Sequence, residues 1–412
     1  MPWAKLKVMC LLEIIKKLSG AMPRNRPACR FPGLIGRSFC HWWEIGEQAK
    51  LARGNRGEYV VRRAIMRSLV LFLRWSAMPV SSMKSLPLRT YLRAASAIGE
   101  NIRKKEAINP LYASYKVTNR CNFRCKFCNV WFEKTPVLET ELVYRVLDNL
   151  ERAGVFLLSL EGGEPLLRND IGDILKYAGA KDYYILFTTS DRSLIEQPMV
   201  EYCRNIDFLH ISIDEGHDNL DMFSLLPEAV RWGSIVCVQV VVMKENLPAL
   251  EDKVARCWDA GAKCVIMPAV ELNRTRNHFP DLDAFQRECL RLKRKYPRTI
   301  ISPDPYFAAL REPHGCSTGS IIVDCDGGLF YPCRTLESKP VNLLDVDLRD
   351  WLHGEEAKAF RRQMATCDRR CGWYQYYAVS AFTSPVHVWT SISPYFWNVL
   401  APRKKQNHNG RK

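Results

Sequence analysis

Short apolar runs alternate with amphipathic stretches along most of the chain beyond residue 110. The runs are rich in aliphatic and aromatic residues typical of β-strands: Tyr112–Thr118, Phe156–Leu160, Tyr184–Thr189, Phe208–Ile213, Val236–Val242 and Cys264–Met267. The stretches between them have helical spacing and lie near 139–153, 170–179, 194–204, 225–232 and 248–260. Strands that alternate with helices predict a parallel sheet, open or rolled into a partial barrel. In such folds the site lies at the carboxyl ends of the strands.

Two stretches near the N-terminus, 3–18 and 60–75, are amphipathic and basic. In the second, Arg63, Arg67 and Arg74 form a narrow strip opposite an apolar face that ends at Trp75. A basic face backed by an apolar face is typical of a helix that lies in an anionic membrane interface. A helix packed on its own domain, with a solvated arginine face, is the alternative. No uncharged run with clean helical character reaches the roughly 20 residues of a membrane span, and no secretory signal is evident.

Charge is concentrated at the two ends of the chain. Of the net charge of +16 over 412 residues, residues 1–110 carry +15 and residues 403–412 carry +5, while residues 111–402 carry −4. The hydrophobic content of 47% excludes a wholly disordered chain. Any polyanion contact should therefore lie at the ends, and a membrane surface is the expected partner. We expect no nucleic-acid partner, because the basic segment has no recognisable readout motif.

Three of the sixteen cysteines fall within eight residues, directly after the first predicted strand. Cys121, Cys125 and Cys128 have the spacing C-x3-C-x2-C. Three thiolates on one short loop can each bind a different iron of a cubane cluster and leave the fourth iron open to another ligand. Sixteen cysteines are too sparse for a disulfide scaffold in a chain of this length. The loop therefore predicts metal binding in a reducing, cytoplasmic compartment.

The cysteine loop resembles the C-x3-C-x-aromatic-C motif of the radical S-adenosylmethionine (SAM) enzymes, with Phe127 as the aromatic residue. Residues 161–165, Glu-Gly-Gly-Glu-Pro, resemble the family's GGEP motif, which holds the methionine amino group. The resemblance covers residues 111–375 and implies a partial (β/α)6 TIM-like barrel. It also implies that Cys121, Cys125 and Cys128 hold a catalytic [4Fe–4S] cluster to which SAM binds.

Further cofactor contacts follow from the same resemblance. Ser190 ends the segment Thr188-Thr-Ser, where relatives often carry Thr-Asn-Gly. Ser212 and Asp214 resemble the Ser-x-Asp motif near the ribose, and Met243 and Met267 are candidates for the adenine site. The SAM-binding residues implied are Phe127, Gly162, Gly163, Glu164, Pro165, Ser190, Ser212, Asp214 and Met267.

A second group of cysteines lies between residues 316 and 371. Residues 321–331 predict a hairpin with an Asp-Gly turn between Cys316 and Cys333. With Cys367 and Cys371, these thiols suit a second [4Fe–4S] cluster or structural zinc. The pattern resembles the C-terminal SPASM or shorter twitch extension, which implies one auxiliary [4Fe–4S] cluster. Cys325 is either a packing residue of the hairpin or an alternative ligand.

The segment from Cys371 to Pro402 is rich in aromatic residues and, His387 aside, carries no ionisable charge. It predicts an interfacial anchor or a wall for an apolar substrate. An arm packed on the barrel is the alternative. The basic tail Arg403-Lys-Lys follows directly.

These patterns predict four regions. They are a basic helical region likened to a membrane-interface segment (1–110), the barrel (111–300), a twitch-like auxiliary cluster domain (301–375) and an aromatic arm with a basic tail (376–412).

We expect an enzyme that reductively cleaves SAM to a 5′-deoxyadenosyl radical and takes hydrogen from an unactivated C–H bond. The amphipathic N-terminal stretches and the aromatic arm favour a membrane lipid as substrate. The reaction expected is carbon–carbon coupling, as in the archaeal lipid-bridging synthases, and the expected location is the cytoplasmic face of the membrane. One alternative is a maturase of a ribosomally made peptide. Another is a non-catalytic iron–sulfur or zinc adaptor at the membrane. The sequence does not identify the electron donor.

Overall fold

The computed structural model describes residues 84–270, 278–310, 319–367 and 372–374, which lie in one compact unit. Within these residues the strands form a single sheet in the order β6-β5-β4-β3-β2-β1-β7-β8-β9. Their bounds are β1 Tyr112–Thr118, β2 Leu157–Gly162, β3 Tyr184–Thr189, β4 Phe208–Ser212, β5 Ile235–Val242, β6 Lys263–Pro268, β7 Ser320–Val323, β8 Gly328–Phe330 and β9 Val341–Asn342. Neighbouring strands from β6 to β7 are parallel.

Helices connect the parallel strands and flank the sheet. In the described ranges they are α1 Leu88–Lys104, α2 Thr140–Arg152, α3 Ile171–Gly179, α4 Met199–Tyr202, α5 Leu226–Ala229, α6 Leu250–Ala260, α7 Leu282–Lys295, α8 Asp304–Ala309, α9 Leu348–His353 and α10 Glu355–Ala365. The prediction of an α/β partial barrel is confirmed.

Alternation along the strands separates an apolar outer face from a more polar inner face. In β1, Ala113, Tyr115 and Val117 join the hydrophobic core that the helices cover. Ser114 and Lys116 lie on the other face, where they are in register with Ser159 and Glu161 of β2. Because side chains alternate along a strand, these residues point into the barrel.

The predicted strands agree with the observed ones to within two residues at each end, but the helix predicted at 194–204 is shorter. A 3₁₀ turn occupies Arg192–Glu196, and α4 begins only at Met199. The interruption falls at Gln197-Pro198, where proline disfavours helical geometry in the preceding residue. Helix α5 likewise covers only part of the predicted 225–232.

The predicted hairpin is present and extends the barrel sheet. Strands β7 and β8 are antiparallel, and the turn between them includes Asp326 and Gly327, whose φ is +82°. Strand β7 pairs with β1 in parallel, from Tyr112 opposite Ser320 onward. The hairpin that carries the second group of cysteines is therefore bonded directly to the first strand of the barrel.

Helix α1 packs at the amino-terminal ends of the strands. The Tyr91 hydroxyl lies 2.6 Å from that of Tyr184 in β3, and Thr90 donates to Asp182 at 2.7 Å. The amphipathic stretches 3–18 and 60–75 and the aromatic arm beyond residue 374 lie outside the described residues. Among the residues that are described, no helix combines the length and apolar character needed to cross a bilayer.

Candidate active site

The cysteine loop follows the carboxyl end of β1 without an intervening element. Cys125 is buried, while Cys121 and Cys128 are partly exposed, and all three are free thiols. The amide of Cys128 donates to the Cys125 carbonyl at 3.2 Å, which closes the second half of the loop. Burial raises the pKa of Cys121 to about 11 and also raises that of Cys128. The raised pKa values disfavour the thiolate form that a metal ligand requires, and a bound metal would stabilise that form.

The two glycines of the GGEP motif hold this loop against β2. Gly163 donates to the Thr118 carbonyl at 2.7 Å, and Glu164 donates from its amide to the Arg120 carbonyl at 2.8 Å. A Cβ on Gly162 would lie 2.3 Å from the Thr118 oxygen, and one on Gly163 would lie 2.1 Å from the Arg120 oxygen. Only glycine allows so close an approach between two backbones. The motif is therefore a seat for the cysteine loop, whatever else it binds.

Glu164 lies almost fully buried at the junction of β2 and β3. Its carboxylate accepts from the amide of Leu166 at 3.1 Å, the hydroxyl of Thr189 at 2.8 Å and the amide of Ser190 at 2.9 Å. Burial raises the pKa of Glu164 to about 7, although these hydrogen bonds oppose the shift. Glu164 and Ser190, both predicted from the sequence, are thus brought into direct contact.

Asp214 lies at the end of β4, and its carboxylate accepts hydrogen bonds from other residues of the protein. Its Oδ1 accepts from both the backbone amide and Nδ1 of His217, at 3.0 and 2.8 Å, and its Oδ2 accepts from the amide of Val241 at 3.0 Å. The side chain of Asp214 is fully buried. Its expected contact with the ribose stays a prediction, and the described contacts give it a separate role.

The remaining predicted SAM contacts lie around the same strand ends. Ser212 is buried on the inner face, and Met267 packs beside the cluster formed by Cys237, Val265 and Ile301. Pro165 begins a short 3₁₀ turn. Met243 is buried.

An open cavity of about 710 Å³ borders the cysteine loop on one side and the loops after β3 and β4 on the other. Its lining includes Cys125, Arg192 and His217. Phe127 closes against the β4 loop, where a Cβ on Gly216 would lie 2.1 Å from the Phe127 ring. Space for a ligand thus adjoins the buried cysteine.

A chain of buried and half-buried ion pairs, missed by sequence reasoning, links β1 and the segment after the cysteine loop to the hairpin and the residues that follow it. Lys116 bonds Glu133 at 2.6 Å and Asp324 at 2.8 Å, Arg334 also bonds Glu133, and Lys339 bonds Asp324 at 2.9 Å. Burial alone raises the pKa of Asp324, but Lys116 and Lys339 outweigh it and hold the value at about 2. The signal for this network in the sequence was Lys116, the single charged residue of its strand.

The second group of cysteines is described only in part. Cys316 and Cys371 lie outside the described residues. Cys333 packs against Ile322 and Phe330 of the hairpin, and Cys367 follows α10. Cys325 is fully buried in the hairpin turn, where its carbonyl accepts from the Leu138 amide, and both of its expected roles stay predictions. The auxiliary ligand set stays a prediction.

The residues around the cysteine loop fit a cluster with SAM. Three free thiols share one loop, the two glycines leave no room for a Cβ, and a cavity adjoins Cys125. Among the described residues, no three His, Cys, Asp or Glu side chains converge on a single metal ion. A cubane offers each thiolate an iron of its own.

The family model of the Radical SAM superfamily matches residues 115–235, from β1 to the start of β5. This part of the chain is a radical SAM domain. The superfamily uses a [4Fe–4S] cluster and SAM. The matched segment contains the cysteine loop, the GGEP motif and the Ser212-x-Asp214 strand end.

Curated relatives match this radical SAM domain to different extents. The chain is 31% identical over 112 residues to a GTP 3′,8-cyclase of Limosilactobacillus fermentum. This match covers 25% of this chain and 33% of the relative. It is 22% identical over 309 residues to the PqqA peptide cyclase of Methylobacterium nodulans, which covers 63% of this chain and 79% of that protein. The match thus spans only about a third of the length of the GTP 3′,8-cyclase.

Among solved structures, the radical SAM protein SuiB of Streptococcus suis has the same fold. Its complex with the precursor peptide SuiA superposes with a TM-score of 0.51 at 17% identity, over 65% of this chain and 70% of SuiB. The SAM-bound form of SuiB gives a TM-score of 0.50 at 16% identity.

Proposed function

We propose that this chain is a radical SAM enzyme that modifies a ribosomally made peptide, with an auxiliary cluster near Cys333. The main support is the polar inner face of the barrel next to the cysteine loop. The similarity to a peptide cyclase over 63% of the chain supports the same substrate class. The peptide alternative therefore fits better than the lipid substrate expected from the chain ends.

Polar side chains lie on the inner face of β1 to β5, beside the apolar cluster of Cys237, Val265 and Ile301. Their register places these residues on one face: Ser114, Lys116, Ser159, Glu161, Thr188, His210, Ser212 and Gln239. The Thr188 hydroxyl is buried there and has no hydrogen-bond partner among the described residues. An alkyl chain would leave the Thr188 hydroxyl unsatisfied, whereas a peptide amide or carbonyl can bond it.

His210 gives this wall a neutral donor. Burial lowers its pKa to about 4, and Nδ1 accepts from the Gln239 amide at 2.6 Å. The proton of the neutral ring is therefore on Nε2, which can donate to a carbonyl oxygen.

When bound, a reduced cluster and SAM supply one-electron cleavage of a sulfonium C–S bond and abstraction of a hydrogen atom from a C–H bond. The cysteine loop would hold the cluster, and the seat formed by Gly162 and Gly163 would fix its distance from β2. The polar wall would orient the peptide so that one C–H bond faces the cofactor.

The membrane-lipid substrate and the peripheral membrane location depend on the amphipathic N-terminal stretches and the aromatic arm, which the structure does not describe. A lipid substrate at the membrane is the second possible outcome of the test described below. A non-catalytic adaptor is the third, and the intact cysteine loop and its glycine seat argue against it.

The test compares a host that expresses the full chain with one that expresses the Cys125→Ala variant. Purified, anaerobically reconstituted protein should form 5′-deoxyadenosine from SAM on reduction, and the variant should not. Mass spectrometry of the peptide fraction should then reveal a species altered only with the unsubstituted chain. A change confined to the lipid extract would overturn the peptide proposal, and no 5′-deoxyadenosine from the loaded protein would indicate an adaptor.

SAM binding should depend on the ionisation of Glu164 if this carboxylate accepts from the methionine ammonium group. With a pKa of about 7 in the free protein, the carboxylate form falls roughly tenfold between pH 8 and pH 6, so SAM affinity should fall by about the same factor. Equilibrium dialysis of the loaded protein at both pH values measures this change. In Glu164→Gln the affinity should be weak and independent of pH; an equally pH-dependent variant would exclude this role.

A further inference from the structure

The carboxylate of Glu161 lies on the inner face of the barrel, one residue before the glycine seat of the cysteine loop. Glu161 is in register with Lys116 of β1, and the next pair, Gly162 with Thr118, ends both strands. Each strand residue advances by about 3.3 Å, so Glu161 lies close below the cysteine loop, which follows Thr118 directly. Glu161 is partly exposed although it points into the barrel, so open space adjoins it in the interior, or lumen.

Two buried hydroxyl groups hold this carboxylate in place. Ser114 donates to Oε1 of Glu161, and Ser159 donates to Oε2 at 3.5 Å. Both serines are at most 1% exposed, so their hydroxyl groups are fixed within the wall. Among the described residues Glu161 has these neutral partners and no ion pair. The hydroxyls therefore orient the carboxylate without cancelling its charge.

The neighbouring ion-pair network balances its own charge and not that of Glu161. Three cations and three carboxylates form it: Lys116, Arg334, Lys339, Glu133, Asp324 and Asp326. Lys116 is opposite Glu161 in the register, but its ammonium group contacts Glu133 and Asp324 instead, at 2.6 and 2.8 Å. Burial raises the pKa of Glu161, although its Ser114 hydrogen bond and the cations of this network oppose the shift. A further cation in the lumen would favour the ionised carboxylate.

The apolar cluster of Cys237, Val265 and Ile301 lies farther round the same inner face. Met267 and Tyr374 pack against it. Because the sheet curves into a partial barrel, β5 and β6 face β2 across the lumen. A ligand in the lumen therefore meets a carboxylate on one side and apolar side chains on the other. A lysine side chain has the matching form, since its ammonium group ends a flexible four-carbon stem.

We propose that Glu161 is a specificity-determining residue that binds the ammonium group of a lysine in the substrate peptide. This inference rests on the proposed function, because it names the side chain that a peptide would place in the barrel. A charge-assisted hydrogen bond to the carboxylate would hold the end of the side chain, while the apolar cluster packs on its methylene groups. These contacts would fix the lysine below the cysteine loop, with its C–H bonds toward the cofactor.

The test measures whether the barrel prefers an ammonium group and whether Glu161 causes the preference. The probes are the synthetic peptide acetyl-Gly-Gly-Lys-Gly-Gly-amide and its norleucine analogue, which keeps the four-carbon stem and lacks the ammonium group. Saturation-transfer NMR follows their binding to the anaerobically reconstituted, unreduced full chain with SAM. The lysine peptide should bind the original chain at least about tenfold more tightly. In Glu161→Gln, which keeps the shape of the side chain, the preference should disappear.

Glu228→Gln, at an exposed carboxylate on α5, is the matched control and should keep the preference. Iron content and the thermal unfolding midpoint establish that each variant is folded. Equal affinity of the original chain for the two peptides overturns the inference. A lysine preference that survives in Glu161→Gln overturns it as well, because another group must then bind the ammonium.

Carbodiimide coupling gives a second measurement on the original chain and decides the matter if Glu161→Gln does not fold. The reagent joins a carboxylate to an amine in contact with it, and tandem mass spectrometry locates the linkage. Coupling of the lysine peptide to Glu161 supports the inference, and coupling that spares Glu161 overturns it. The proposed function fails on other evidence, namely an unaltered peptide fraction or no 5′-deoxyadenosine. A missing lysine preference with both of those results positive overturns this inference alone.

Discussion

Replacing Gly163 with alanine is expected to displace the cysteine loop and to abolish cluster binding there. The new Cβ would lie 2.1 Å from the Arg120 oxygen and 2.9 Å from the Asn119 carbonyl carbon, both of which are backbone atoms. Neither contact can be relieved by a side-chain rotation, so the loop must move away from β2. We expect a cost of about 3 kcal/mol in unfolding free energy, the upper end for overpacking. Iron analysis after reconstitution and chemical denaturation measure the two effects.

Gly99→Ala is the matched control for this substitution. Gly99 lies inside α1, and a Cβ there would meet no atom within 4 Å. Alanine should therefore stabilise the helix by up to about 1 kcal/mol and leave the iron content unchanged. If both variants behave alike, the close approach of the GGEP turn to the cysteine loop does not matter for cluster binding.

Replacing Lys116 with methionine is expected to destabilise the barrel by about 3 kcal/mol. The ammonium group lies between Glu133 and Asp324, and only 4% of the lysine side chain and 2% of Asp324 are exposed. Removing one partner leaves buried carboxylates short of a counter-charge, which is the costly way to break a buried pair. Denaturant unfolding under anaerobic conditions measures the change.

Arg256→Met on α6 provides the comparison at the surface. Its partner Asp252 lies at 2.8 Å, but the two side chains are 53% and 66% exposed. An exposed pair contributes at most about 1 kcal/mol. A similar loss in both variants would contradict the view that burial makes the Lys116 network important.

Local patterns account for most of the fold. Strand β1 is predicted at its observed bounds, Tyr112–Thr118, because a short run of strand-forming residues favours a buried strand over other secondary structure. The pairing of β7 with β1 could not be predicted, because it joins segments separated by about 200 residues and no local pattern encodes such a contact. Proline at 198 was visible in the sequence and should have shortened the helix predicted there.

The site was predictable in its residue types and less so in its contacts. Spacing alone located the cysteine loop, and the resemblance located Glu164 and Asp214. That Asp214 accepts hydrogen bonds from His217 and Val241 depends on how two neighbouring strands end, which only the assembled sheet determines. His217 itself was missed, because one histidine in a loop carries no periodic signal.

The parallel pairing of β7 with β1 has a consequence for any shortened version of the chain. Without residues beyond about 310, the row of β1 amides and carbonyls that now bonds Ser320–Val323 would face water along its length. Such an unprotected border recruits strands from other copies and promotes aggregation. The C-terminal segment is thus a shield for the open edge of β1, and truncation there would compromise solubility.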